Sequence, residues 1–177
     1  WNNQAMNEVA NRFDFTIDRD TDGALRNQIY IMSRFDLGDG DQALVFTVDL
    51  GGAEYFIAPI TNYWATSNDI VHRNGSLNTH QSSVNADGTY TYVVSMQDPG
   101  VHNWLDPCDM HEGILTLRWA EFAGGHPGAS LSVDGKLVPL ADLDKYLPEG
   151  TRKVSAEQRA ELLRERAESY QWRLLDH

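Results

Sequence analysis

Apolar and polar residues alternate with a period of two along much of the middle of this chain, and tight-turn dipeptides punctuate the alternation. Leu44, Phe46, Val48 and Leu50 share one face. Gly51-Gly52 then offers a two-residue hairpin turn into the run 53–61. A polar strand is expected over 76–84, followed by Asp87-Gly88 as a type I′ turn pair and by Tyr90, Tyr92, Val94 and Met96 in the same alternation. Leu115, Leu117 and Trp119 form an inner face, with Thr116 and Arg118 pointing the other way. Asp134-Gly135 predicts a further hairpin between 131–133 and 136–138. Many short alternating strands joined in this way favour an antiparallel sandwich or barrel over a parallel α/β sheet.

The two ends read differently. Met6, Val9 and Phe13 are spaced for one helical face, and Leu25, Ile29 and Met32 form a second stripe over 24–34, where β-branched and aromatic residues keep a strand open. Residues 1–35 are therefore expected to be a helical lead-in, 42–138 the β-sandwich and 139–177 a helical tail of one domain. Within the tail, Pro139 to Leu147 reads as a short helix. Ser155 with Gln158 makes a capping box, after which Ala156, Ala160, Leu163, Ala167, Tyr170 and Leu174 recur at helical spacing. Such a stripe is long enough to pack on its own domain or on a neighbouring subunit, so the 155–174 helix is a candidate homo-oligomer contact.

Between the strand ending near Gln97 and the one beginning at Gly113 lies Asp98-Pro99-Gly100-Val101-His102-Asn103-Trp104-Leu105-Asp106-Pro107. Pro99-Gly100 suits the centre of a type II turn, and Trp104 with Leu105 brings enough apolar area to pin the loop to a core. The loop is expected to hold a fixed shape that presents its polar groups at one edge of the sandwich.

This string, with Gly51-Gly52-Ala53, Ser76-Leu77-Asn78, Gln81, Asp87-Gly88-Thr89-Tyr90, His111-Glu112-Gly113 and Leu117-Arg118-Trp119, resembles the signature of the bacterial domain-of-unknown-function 1214 family. The motifs span most of residues 40–122. The resemblance implies an antiparallel β-sandwich of jelly-roll type and transfers no catalytic residue. This chain departs from the family pattern at Pro107-Cys108-Asp109, where a small residue and a glycine more often follow Leu-Asp.

Charge narrows the range of partners. With 26 acidic against 14 basic residues the formal net charge is -12. Phosphate neutralisation cannot supply much binding energy, so nucleic acid is not an expected partner. No apolar run approaches the ~20 residues that cross a bilayer, so membrane insertion is not expected either and the reading leans to a soluble, cytoplasmic protein. With 41% hydrophobic residues, the 177-residue chain can bury one sizeable core. The lone Cys108 excludes an intrachain disulfide and a cysteine-only metal cluster.

Three groups of residues are chemical candidates. Asp18, Asp20 and Asp22 before Gly23 match the opening of a calcium loop, but Ile29 stands where a bidentate Glu would be needed, so an acidic cap for the following helix is the preferred reading and no cofactor is expected. His102, Asp106 and His111 are candidates for general-base chemistry, with Asp106 orienting an imidazole whose ordinary pKa of about 6.5 suits that role. His80 and Asn78 on the polar strand, with Arg118 and Trp104, are candidates for lining a ligand pocket. No Gly-x-Ser-x-Gly elbow, phosphate loop or dinucleotide fingerprint is present. The leading expectation is a non-enzymatic module that binds a small molecule or a protein partner. The alternatives are an enzyme acting on a small organic or carbohydrate substrate and a structural subunit of a larger complex.

Overall fold

A computed structural model describes residues 9–13 and 27–175. It contains eight strands in two four-stranded sheets: β1 (Gln28–Asp36), β2 (Gln42–Asp49), β3 (Ala53–Thr61), β4 (Ser76–Asn78), β5 (Tyr90–Ser95), β6 (Trp104–Leu105), β7 (Glu112–Phe122) and β8 (Ser132–Pro139). The helix α1 (Ala156–Leu175) follows. One sheet runs β1-β7-β3-β4 and the other β6-β5-β2-β8. All pairings are antiparallel except β5 with β6, so the protein is mainly β with one parallel pair at an edge.

The period-two residues build the core between the sheets. Ile29, Ile31, Phe35, Phe56, Leu115, Leu117 and Trp119 from one sheet meet Leu44, Phe46, Val48, Tyr92 and Val94 from the other. Phe56 and Tyr92 touch across the interface, with ring centroids 5.7 Å apart. A second, smaller core covers the outer face of the β2–β5 sheet, where Ala43, Val45, Val93 and Val138 pack against Val101 and Leu143. Both faces of β2 and β5 are thereby buried. Leu143 is delivered by a 3₁₀ turn over Leu140–Lys145, the short helix expected after Pro139.

Five sequence expectations are corrected. The helical lead-in does not hold for 28–35, which forms β1 with Ile29, Ile31, Ser33 and Phe35 directed inward at strand spacing. Residues 9–13 are not helical either: Asn11 takes a left-handed φ of 62° and its amide donates to Arg34 O at 2.8 Å, along the β1 edge. The rest of the expected amino-terminal helix lies outside the described residues.

Gly51-Gly52 forms the tight turn, closed by Ala53 N donating to Leu50 O at 3.0 Å, yet it makes no hairpin. Strands β2 and β3 enter different sheets, so the turn is an arch over the core edge. Gly51 is obligatory there: φ is +56° and a Cβ would stand 2.3 Å from Leu131 Cβ.

Asp134-Gly135 makes no turn at all. It lies inside β8, with Thr47 opposite Asp134 and Phe46 opposite Gly135. A Cβ on Gly135 would meet Phe46 Cβ at 2.9 Å and the Phe13 ring at 2.4 Å, so this glycine serves close packing within a strand. The polar strand 76–84 is likewise only β4, after which Thr79–Gln81 turns into a 3₁₀ helix capped reciprocally by Asn78 and Gln81. The Asp87-Gly88 turn is present, but only Gly88 has a positive φ, and Asn85 N donates to Thr89 O at 2.8 Å. That is a type I turn with a left-handed glycine after it, in place of type I′.

Candidate functional site

Residues 98–107 build the floor of the site. Asp98 Oδ1 accepts from Gly100 N at 2.9 Å, and Gly100 takes φ 68°, as the Pro-Gly turn requires. From Val101 to Pro107 every residue is buried. The loop therefore presents few polar groups at the edge of the sandwich; it fills the space between the β2–β5 sheet and α1, contrary to the expectation from its turn formers.

Burial obliges the loop's polar groups to find partners. Asn103 Nδ2 donates to Ser83 O at 2.7 Å and Thr91 O at 3.0 Å, and its Oδ1 accepts from Ser83 N at 2.7 Å. This orientation makes Oδ1 an acceptor toward His102 Nδ1, 3.2 Å away, so Nδ1 carries the proton and Nε2 is left as an acceptor. Trp104 is 7% exposed, and its Nε1 donates to Ser95 O at 3.0 Å. Asp106 is 3% exposed and clasped by Arg73, with Nε to Oδ2 at 2.6 Å and Nη2 to Oδ1 at 2.9 Å. Oδ1 also accepts from Cys108 N at 2.8 Å, holding a bend in which Cys108 and Asp109 take φ of 54° and 65°. Burial, reinforced by Asp106, pushes the Cys108 thiol up to about 11.

The carboxy-terminal helix forms the roof. Its expected capping box is present: Ser155 N donates to Gln158 Oε1 at 2.8 Å and Gln158 N to Ser155 Oγ at 3.2 Å. The preceding segment is bonded to the loop, Val154 N to Gly100 O and His102 N to Arg152 O, both at 2.9 Å. The inward face is rotated from the expected one: Arg159, Leu162, Leu163, Arg166 and Tyr170 face the sandwich, whereas Ala156 and Ala160 are exposed. Arg159 is 6% exposed. It donates from Nε to Asp98 Oδ2 at 2.8 Å and from its Nη atoms to the carbonyls of Val101 and His102, and its guanidinium lies 5.2 Å from the Trp104 ring centroid. Arg166 donates to Ile70 O at 3.0 Å, Ser76 O at 3.1 Å and Ser76 Oγ at 3.0 Å.

Between floor and roof lies a cavity of about 250 Å³, bordered by Asn74, Leu77 and His102 below and by Arg159, Leu163 and Arg166 above, with Gln81 and Ser169 at its sides. Of the residues anticipated from the sequence, only His102 lines it. Trp104 lies beneath, against Arg159; Asn78 is occupied in capping the 3₁₀ turn that leaves His80 exposed; and Arg118 stands on the outward face of β7, 5.0 Å from the Tyr30 ring. His111 is exposed and donates from Nδ1 to Gly38 O at 2.7 Å. Asp106 is held by Arg73 and the Cys108 amide, with neither His102 nor His111 among its hydrogen-bond partners. The His and Asp candidates for general-base chemistry are thus not assembled as a dyad. Among the described residues no group of three His, Cys, Asp or Glu side chains is arranged to hold a metal. Asp18, Asp20 and Asp22 lie outside the described residues. No described helix is long and apolar enough to cross a membrane.

Burial lowers the His102 pKa, the Asn103 bond opposes this, and the charges of Arg152 and Arg159 add to the lowering. The folded pKa thus lies below the unfolded value of about 6.5, and the neutral ring belongs to the native state. Below that pH the unfolded chain takes up a proton that the native chain refuses. Stability should therefore fall as pH drops below about 6.5, by up to about 1.4 kcal/mol per pH unit until the folded pKa is reached. Urea titrations at about pH 7.5 and about pH 5.5 check this: the wild type should lose more stability between them than His102→Gln, and equal losses would place the acid sensitivity elsewhere.

No protein-family model matches the chain, and none of the curated proteins does. Among solved structures it is similar to a putative uncharacterized protein from Burkholderia cenocepacia, with 32% identity over 67% of this chain and a TM-score of 0.60. It is also similar to the VPA0106 protein from Vibrio parahaemolyticus, with 20% identity over 63% of this chain and a TM-score of 0.48. The matches cover 32% and 31% of those chains, so this chain spans about a third of their length.

Proposed function

We propose that this chain is a ligand-binding β-sandwich module whose ligand occupies the groove beneath α1. The observation that carries the reading is the cavity of about 250 Å³, in which buried polar side chains of Asn74, His102 and Arg159 border the apolar surfaces of Leu77, Leu162 and Leu163. A few fixed polar groups in a mostly apolar recess are the usual make-up of a small-molecule site, and the volume lies just below the common range of about 300–1,000 Å³, which suits a small ligand. The separation of Asp106 from both candidate histidines supports binding over catalysis.

The motifs shared with the domain-of-unknown-function 1214 signature support membership of that family, since Asn103, Trp104 and Asp106 each make a specific buried contact. The alternation of β1, β2 and β3 between the sheets, and their pairing with the late strands β7 and β8, supports a jelly-roll type of sandwich. A second reading, self-association through α1, is supported by Trp172, 71% exposed on that helix. A monomeric mass by light scattering would discard it.

The groove reading is tested by mass spectrometry of small molecules released from natively purified protein. A compound present near one equivalent in the wild type and absent from Leu163→Trp, whose indole fills the recess, is the expected result. Identical small-molecule content in both proteins would refute it.

A further inference from the structure

Resting on the groove as a ligand site, we propose that its ligand is a small monocarboxylic acid, with the carboxylate on Arg166 and a short apolar body against Leu77, Leu162 and Leu163. The two arginines of the inward helix face differ in how their charge is met. Arg159 is paired with Asp98. Arg166 is half-buried, yet its partners are two carbonyls and a hydroxyl, and no carboxylate of the described residues lies within ion-pair distance. Neutral acceptors orient a guanidinium without cancelling its charge, and a charge held partly out of water is stabilised most by an opposite one.

The hydrogen-bond count points the same way. Of the five N–H groups of an arginine, Nε gives its hydrogen to Ile70 O and each Nη gives one to Ser76. One N–H remains on each Nη; since Ser76 takes a hydrogen from both Nη groups, these two do not form the facing pair, and a carboxylate is met by one of them as a single charge-assisted hydrogen bond. Gln81 and Ser169 flank the recess, and since Gln81 Oε1 already accepts from Asn78 N, its amide nitrogen is the part left to donate.

The choice of a monoanion follows from charge and space. Glu165 stands at the rim, and the chain carries a net charge of -12, so a doubly charged phosphate meets more repulsion than a single carboxylate does. The three leucines supply the apolar part of the lining and offer an apolar tail the burial that a free phosphate cannot use.

Calorimetric titration of the full chain with hexanoate and with hexanamide tests this directly. Hexanoate should bind about tenfold to a hundredfold more tightly, the range for adding one charge-assisted hydrogen bond, and millimolar inorganic phosphate should not displace it. Arg166→Gln should erase the difference between acid and amide. If that variant does not fold, the wild-type comparison decides alone. Equal affinities for acid and amide, both lost in Leu163→Trp, would overturn the carboxylate assignment and leave the groove standing as a ligand site. Displacement by phosphate would overturn the preference for a monoanion, and no binding of either probe would overturn the assignment together with the groove reading.

Discussion

Trp104→Ala should destabilise the protein by about 3–5 kcal/mol, the range for removing a large buried aromatic. The indole is packed between the edge of the β2–β5 sheet and Arg159, and its Nε1 hydrogen bond to Ser95 O closes the segment between β5 and β6. Truncation leaves a cavity under the helix and strips the Ser95 carbonyl of that donor. Urea unfolding of the variant measures the loss, and a change below about 1 kcal/mol would show that the loop is anchored by its other bonds.

Arg159→Ala should cost about 3 kcal/mol, the lower end of the range for breaking a buried ion pair, because Asp98 still reaches water. Its guanidinium is the point where α1 is joined to the loop: it meets Asp98, the Val101 and His102 carbonyls and the Trp104 ring together. Arg159→Lys should recover only part of the loss, since an ammonium cannot reproduce the planar fork. Protease sensitivity separates global from local effects. Cleavage near 150–156 with the sandwich intact would show that Arg159 holds the helix, and cleavage throughout would show that the helix holds the sandwich.

These two residues differ in how far the sequence revealed them. Trp104 is legible because a large aromatic amid turn formers has few uses other than as an anchor. Arg159 and Arg166 are not, because an arginine on a helix reads as solvated until its partners are seen, and the Val101 and Ser76 carbonyls lie 58 and 90 residues away. The helical spacing that placed Leu163 inward also placed them there; the preference for alanine over arginine on an inner face rotated the expected stripe.

Strand alternation was similarly readable in β2, β5 and β7, where apolar residues take every second place. What short-range pattern cannot encode is the partner of each strand. Gly51-Gly52 makes the turn its composition demands, but a turn does not state whether the strands it joins will bond to each other or face each other across a core. Asp134-Gly135 carries a hairpin signal within β8, where its glycine is needed to let Phe46 and Phe13 approach. In β1, Ile29, Ile31 and Phe35 alternate correctly, yet Leu25, Ile29 and Met32 fit a helix as well, and only pairing with β7 decides between them.

The arch at Gly51-Gly52 also sets the order in which the chain can acquire structure. With β2 and β3 in different sheets, the early strands cannot zip up as a meander. β1 must wait for β7, which lies between it and β3 and begins at Glu112, and until then β3 has only the three-residue β4 beside it, while β2 recruits β5 before β8 completes its other side. Such distant pairings are slow to close. A nascent chain that has emerged only as far as β6 thus holds β1 with no strand beside it, so the interval before β7 appears is when this protein is most exposed to aggregation and most in need of chaperones.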